Sequence, residues 1–312
     1  MKSSNISVII PLYNKVGSVA CSLRSVLAQT LPPPEIIVVD DGSTDGSADV
    51  VNAIMRENPD APIRLVCQTN AGVSAARNRA IAEASGEYVA LLDADDRWGE
   101  NHIERAAAMI ERFPDCDIYA SSFRVDDGYN ITDGDTPAVE GVVDFFALSL
   151  KQYVAIPSAT VLRRSAVVAA GGFPEGMRMG EDQYLWTKMA RRGAVCFSPV
   201  RTVIYSRAAD NRSATIYRPE QTRFSLEELY DSSSSDDSNE YVARAALYKA
   251  LVQSVQGDTA SAARAARFFS YTYRNRRALR KLRTLNALPV SWRRPLLNVY
   301  NYLAWKIARK GL

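Results

Sequence analysis

The sequence predicts an α/β domain on a largely parallel sheet, followed by a region made of helices alone. Three observations carry this. Short β-branched runs alternate with helix-like stretches through the first half. Three of those runs end in conspicuous polar clusters, PLYN, DDGSTD and DADD. From Asn239 onward only helical spacing recurs. With 312 residues, 47% of them hydrophobic, the chain can bury a sizeable core.

The elements follow in order. ISVIIP at 6–11 reads as a first strand, and 16–29 as a helix with Val19, Leu23, Val26 and Leu27 on one face. IIVV at 36–39 is a second strand that ends at Asp40, followed by a helix over 49–57, a strand over 63–66, a helix over 74–84 and a strand over 88–92. Ligands of open α/β sheets sit outside the carboxyl ends of the strands, so the three polar clusters are expected to converge on one crevice. The second half predicts a helix over 100–113, a strand near 118–123, a loop near 126–137 and a helix from about 181 to 192. DSSSSDDS at 231–238 reads as a polar linker or exposed loop. In the first helix beyond it, Tyr241, Ala245, Tyr248, Val252 and Val255 line one face. The chain is thus expected to divide into 1–230, a linker over 231–238, and a basic helical region over 239–312.

Composition narrows the chemistry. The only histidine is His102, which excludes a site of clustered imidazoles. Cys21, Cys67, Cys116 and Cys196 lack zinc-site spacing and read as reduced thiols. The net charge of +3 hides an asymmetry, because no acid follows Asp258 while 13 of the 38 Lys and Arg do. No apolar run reaches the roughly 18–20 residues that span a bilayer, and the N-terminal run is too short for a signal peptide. A cytoplasmic protein is the expectation.

Asp93, Asp95 and Asp96 crowd the end of an apolar strand. Close carboxylates resist ionising together unless a cation or donors hold them. Oxygen ligands without His or Cys point to a hard ion, Mg²⁺ or Mn²⁺, sharing its shell with substrate phosphates. A solvated turn that caps the next helix is the other reading. DDGSTDGS likewise suits a turn and a helix cap, but Asp40 belongs at the strand end, where it can accept bonds from a base or ribose. GxxxxGK[ST] and GxGxxG are both missing, which excludes a P-loop and a dinucleotide fingerprint.

PLYN at 11–14, SVLAQT at 25–30, VVDDGSTDGS at 38–47, NAGVSAARN at 70–78, GEYVALLDADD at 86–96, GGFPE at 171–175 and GEDQYLWTKMARRG at 180–193 together resemble the successive motifs of family 2 glycosyltransferases. The likeness covers roughly 5–205 and implies the GT-A fold, a nucleotide-sugar-binding domain whose mainly parallel, mixed sheet is flanked by helices. By that resemblance Pro11, Tyr13, Asn14 and Asp40 would hold the base and ribose, while Asp41 orients its loop. Asn70 and Arg77 would border the same pocket, although Arg77 also fits an exposed helix charge. Asp93 would face the ribose and Asp95 would ligate the Mn²⁺ or Mg²⁺ that bridges the diphosphate, with Asp96 the least suited of the three. Asp182 is implied as the catalytic base and Glu181 as an acceptor contact; both also fit first-turn acids at a helix dipole. Trp186 is either core or a sugar-stacking platform.

Two departures from the family pattern stand out. Members often carry a histidine after the base helix that contacts the metal or diphosphate, whereas VIYSRAADNRSA at 203–214 has none, leaving Arg207 or Arg212 to neutralise the phosphates. The QxxRW motif of processive synthases is also missing, which favours single-sugar transfer. Beyond the matched region, Trp292, Leu296, Val299, Leu303 and Ile307 recur at helical spacing near Tyr300, Tyr302 and Trp305, with Arg293, Arg294, Lys306, Arg309 and Lys310 on other faces. That helix could lie on an anionic membrane surface or pack on the catalytic domain. RNRRALRKLR at 274–283 comes with no nucleic-acid module, so nucleic acid is not an expected partner.

The expectation is an inverting, metal-dependent glycosyltransferase at the inner face of the membrane. It would move one sugar from a nucleoside-diphosphate sugar, UDP-sugar by resemblance, to a hydroxyl of a glycan or lipid-linked acceptor in cell-surface polysaccharide synthesis. The rivals are a nucleotidyltransferase that makes sugar nucleotides and a non-catalytic sugar-nucleotide-binding or membrane-associated protein.

Overall fold

The computed structural model describes residues 5–207 and 222–309, with side chains described up to Val299. Residues 5–207 with 222–224 form one compact unit and 225–309 another. The first unit runs β1 (Ile6–Leu12), α1 (Val19–Leu27), β2 (Ile36–Asp40), α2 (Ser47–Glu57), β3 (Ile63–Cys67), α3 (Val73–Glu83), β4 (Tyr88–Leu91), β5 (Arg97–Trp98), α4 (His102–Arg112) and β6 (Cys116–Asp126). It continues with β7 (Ile131–Asp133), β8 (Gly141–Val143), α5 (Phe145–Ser149), β9 (Thr160–Arg163), α6 (Arg164–Ala170), α7 (Glu181–Ala190) and β10 (Ala194–Ser206).

One sheet holds all ten strands, in the order β3-β2-β1-β4-β9-β6-β10-β5, with β7 on β6 and β8 on β10. β1 is parallel to both β2 and β4, with Leu12 opposite Asp40 and Ile6 opposite Tyr88. The chain therefore leaves β1 toward β2 on one side and returns to β4 on the other. That reversal of strand order opens a crevice at the carboxyl ends, where PLYN, DDGSTD and DADD all lie. Val8, Ile10, Val38 and Ala90 are fully buried beneath helices such as α1, which contributes Val19, Leu23 and Val26. Continuous apolar strands of this kind are what a sheet covered on both faces requires.

The sheet is mixed because β9 enters between β4 and β6, antiparallel to each. The loop expected near 126–137 contains β7, and the strand expected near 118–123 runs from Cys116 to Asp126. His102 is buried and stacks on Trp98 at 4.3 Å, while its Nδ1 meets Thr202 Oγ1 at 2.7 Å. Burial lowers its pKa to about 3, so the ring is neutral.

The second unit is helical: α8 (Asp236–Val255), α9 (Thr259–Phe268), α10 (Arg276–Asn286) and α11 (Val290–Arg309). The polar stretch 231–238 is not a linker throughout. Asp231 accepts from Ser233 and Ser234, and Ser235 caps α8 by accepting from the Ser238 amide, so the stretch is a turn and a helix start. The buried face of α8 also differs from the expected stripe. It keeps Tyr241 of that stripe and adds Val242, Ala243, Ala246, Leu247, Ala250, Leu251 and Ser254, while Tyr248 is exposed, because α8 packs on both α9 and α10 and small alanines permit that approach. Glu240 is buried inside α8 and accepts from Thr272 Oγ1, the Tyr273 and Arg274 amides and Asn275 Nδ2, which fixes the chain that enters α10.

Arg293, expected on a face away from the apolar stripe, is 3% exposed. Its guanidinium donates to the carbonyls of Ser254, Asn286 and Leu288, at the C-terminal ends of α8 and α10, and to Thr259 Oγ1 at the start of α9. No described helix is long and apolar enough to cross a membrane.

Gly86 is a tight point beside the sheet, its amide donating to Ser7 Oγ at 2.9 Å. A Cβ there would lie 2.9 Å from the Ser7 backbone nitrogen and closer still to Ser7 Oγ. Gly86→Ala is expected to lower the unfolding free energy by about 1–3 kcal/mol, read as a lower urea midpoint.

Candidate active site

The segments after β1 and β2 are interlocked. Asn14 holds a left-handed backbone, φ 50°; its amide donates to Ser43 Oγ at 3.0 Å and its Oδ1 accepts from the Thr44 amide at 2.8 Å. The next two amides, of Lys15 and Val16, donate to Ser47 Oγ and Asp45 Oδ2. The GSTDGS residues thus clamp the chain leaving β1. Asp40 is buried at the end of β2 and accepts from the Ser43 amide at 3.1 Å. Asp41, buried beside it, accepts from Gln68 Nε2 and from the amides of Ala71 and Gly72, each at 2.8 Å, while Asn70 Nδ2 donates to its carbonyl. Pro11 sits in register with Val39, and the Tyr13 ring is open to solvent.

The three aspartates after β4 have three different settings. Asp93 takes Arg77 Nη2 at 2.7 Å, and Asp95 takes Lys15 Nζ at 2.7 Å. Asp96 is buried, accepting from Ser158 Oγ at 2.5 Å and from the Ser206 amide at 2.7 Å, so it joins β4 to the end of β10. Burial, with Asp93 and Asp95 nearby, pushes its carboxyl well above the usual range. Asp96 is a structural tie. Burial and the Asp93 charge also raise Asp95, with Lys15 opposing them.

Arg77, on α3, connects these acids to α7. Its side chain is 3% exposed, with Nη1 3.5 Å from Glu181 Oε1 and the guanidinium 5.1 Å from the Phe173 ring centre. It is therefore no exposed helix charge. Glu181 and Asp182 open α7, after Gly180 with φ 87°, at the positive end of the helix dipole. Burial pushes the Glu181 carboxyl up to about 7, with Asp182 adding to the rise and Arg77 opposing it. Burial also raises Asp182, again against Arg77. The structure thus gathers Asp93, Arg77, Glu181 and Asp182, and sets Asp95 beside Asp93.

Trp186 lies apart from this group. It is fully buried and packs edge-on against Phe173 at 6.1 Å, so its ring has no open face for a sugar and belongs to the core. Arg207 is exposed at the end of β10, and Arg212 lies outside the described residues. Two contributors carry no clear sequence signal. Lys15 directly follows PLYN, but spacing cannot tell where a flexible lysine points. Asn78 clamps the GGFPE loop onto α3, exchanging two hydrogen bonds with the Phe173 backbone at 2.8 and 2.9 Å. Gly172 allows that approach: its φ is +72°, and a Cβ would fall 2.7 Å from Asn78 Oδ1.

No group of three or more His, Cys, Asp or Glu side chains is poised to cage a metal among the described residues. The donor set instead suits a hard cation that takes one or two carboxylates and completes its shell with phosphates and water. Asp95 is the carboxylate available for that, and the ammonium it already holds shows that the position accommodates positive charge.

The sequence matches the family described as Glycosyl transferase family 2 over residues 7–169. The chain is a family 2 glycosyltransferase. It is similar to the uncharacterized glycosyltransferase YwdF of Bacillus subtilis, 33% identical over 217 residues that cover 68% of this chain and 78% of that protein. It is also similar to an uncharacterized glycosyltransferase of Nostoc, 39% identical over 135 residues, 43% of this chain and 39% of that protein. A Rickettsia bellii glycosyltransferase is 32% identical over 193 residues, 62% of this chain, and the match spans only 27% of its length. Among solved structures, Staphylococcus aureus TarS 1–349 in complex with UDP-GlcNAc superposes with a TM-score of 0.66 at 19% identity, covering 95% of this chain and 91% of that one. The mannosyltransferase PcManGT of Pyrobaculum calidifontis in complex with GDP-Man and Mn²⁺ gives 0.56 at 20% identity, covering 98% and 81%. The transferase has the GT-A fold.

The raised Glu181 pKa has a stability consequence. Between about pH 4.5 and 7 the folded transferase keeps a proton that the unfolded chain has released. Stability is then highest below about pH 4.5 with respect to this group and is lost as pH rises through 7. Relative to Glu181→Gln, the native protein should lose on the order of 1–3 kcal/mol between pH 5 and pH 8, measured by urea denaturation.

Proposed function

We propose that the transferase moves a single sugar, with inversion at the anomeric carbon, from a nucleoside-diphosphate sugar to an acceptor hydroxyl. The observation that carries this reading is the Arg77 bridge from Asp93 to Glu181, which sets the acids after β4 beside those that open α7. Pro11, Tyr13, Asn14, Asp40 and Asn70 surround the end of β1 as the base and ribose pocket, with Asp93 and Arg77 on its far side. Asn14 and Asn70 also brace the loops there, so their contribution is partly to shape. The two GT-A proteins named above were solved with UDP-GlcNAc and GDP-Man, which supports a nucleoside-diphosphate sugar as the donor class. UDP-sugar is our first choice.

Asp182 takes the proton from the acceptor hydroxyl as that oxygen forms its bond to the anomeric carbon and the bond to the diphosphate breaks. Glu181 orients the acceptor, and its pKa near 7 leaves it able to donate a hydrogen bond in part of its population. No covalent intermediate is needed. Asp95 would hold Mn²⁺ or Mg²⁺, whose charge supports the departing diphosphate. Asp182→Asn should lower kcat by about 10²- to 10⁴-fold while leaving nucleotide affinity unchanged. A thermal-shift series tests the donor site: UDP with Mn²⁺ should raise the Tm of the native protein and fail to raise that of Asp95→Asn. Equal shifts in both proteins would count against the metal-bridged donor.

The acceptor, a glycan or a lipid-linked glycan, would then be met at an anionic membrane surface. Trp292, Leu296 and Val299 form an exposed apolar face on α11, and Arg276, Arg277, Arg280 and Arg283 are exposed along α10. No acidic residue follows Asp258 to offset them. An exposed apolar face next to uncompensated cations suits anionic headgroups. The native protein should co-sediment with phosphatidylglycerol vesicles and not with phosphatidylcholine vesicles, and a Trp292→Glu, Leu296→Glu variant should stay in the supernatant. Equal sedimentation of native and variant proteins would remove the membrane from the proposal.

A further inference from the structure

Asp95 already has a cation. Lys15 Nζ lies 2.7 Å from its Oδ2, with the two side chains 15% and 18% exposed. The pairing follows from the way the loops are built. Amides 14, 15 and 16 are each held by a side chain of the DDGSTDGS loop, at 3.0, 2.8 and 3.0 Å, so the base of the lysine cannot wander. Ser18 Oγ donates to the Ala94 carbonyl at 2.9 Å, drawing the start of α1 against the DADD turn. The lysine stem therefore spans a short, fixed gap to the carboxylate.

The neighbouring acids are neutralised differently. Asp93 has Arg77, which is buried and shared with Glu181, and Asp96 has Ser158 and the Ser206 amide. Asp95 alone of the three faces a point charge on a flexible four-carbon stem.

We infer that Lys15 is a resident cation that competes with the divalent metal for Asp95, and that it cedes the carboxylate when a diphosphate offers its ammonium another partner. This rests on the metal-bridged donor site proposed above. Its consequence is coupling. A metal ion arriving alone must displace an ammonium from a carboxylate, whereas one arriving with a nucleoside diphosphate brings oxygens for that ammonium to pair with. Metal and nucleotide should therefore each raise the affinity for the other by the same factor. The arrangement also supplies a positive charge for the diphosphate in a chain that lacks the histidine common in its family.

Direct Mn²⁺ titration, with free Mn²⁺ read by electron paramagnetic resonance, tests this without any turnover. The proteins are the native chain, Lys15→Met, Lys15→Gln and Asp95→Asn, each with and without UDP. Lys15→Met keeps the length of the stem and removes the charge, and Lys15→Gln checks that any effect follows the charge and not the packing. Without UDP, both lysine variants should bind Mn²⁺ about tenfold more tightly than the native chain or better, and UDP should enhance their Mn²⁺ affinity less than it enhances the native one. Equal Mn²⁺ affinity in the native and lysine variants, with binding lost in Asp95→Asn, would overturn the competition and leave the metal site standing. Undiminished binding in Asp95→Asn would overturn the metal site, and the role of Lys15 with it.

Discussion

A single buried guanidinium sets the geometry of this active site. Arg77 is almost fully enclosed, and an uncompensated charge there would be strongly destabilising. Asp93 and Glu181, 16 and 104 residues away in sequence, supply the compensation. The end of β4 and the first turn of α7 must therefore come together if α3 is to pack at all. Phe173 covers the guanidinium, and Asn78, the next residue of α3, grips the backbone of that same phenylalanine. The site acids are thus positioned as a condition of folding.

Burial raises the two carboxyls that open α7, and the Arg77 guanidinium limits that rise. Glu181, Asp182 and Asp93 share one guanidinium in a poorly solvated space, so negative charge exceeds positive and the carboxyls of α7 rise. A group intended to accept a proton near neutral pH needs that rise.

The parallel half of the fold was legible in the sequence because β1, β2 and β4 are apolar on both faces and each stops at a polar cluster. IIVV ending at Asp40 could hardly be anything but a covered strand. The other half was not legible: β10 contains a proline and several shifts of register, β5 has two residues, and β9 runs against its neighbours. None of these leaves a periodic signature. At the site, residue types were readable where charge sits at a strand end or helix start, as in DADD and ED. Directions of flexible or amphipathic side chains were not. The Trp186 ring could face either way on spacing alone, and its contact with Phe173 decides the matter; the goal of Lys15 depends on a loop clamp formed by residues about 30 positions later. The α8 stripe differs from its periodicity for a related reason, since alanines that allow close approach carry little weight in a hydrophobic pattern.

Arg293 is neutralised in the opposite manner to Arg77. Its partners are carbonyl and hydroxyl dipoles at helix ends, with no carboxylate among them. Acid cannot titrate such partners, and enclosed dipoles are poorly screened by dissolved ions. The anchor of α11 should then be indifferent to ionic strength, while the exposed arginines of α10 are not. Salt would then weaken whatever the exposed arginines attract without loosening the helix beside them.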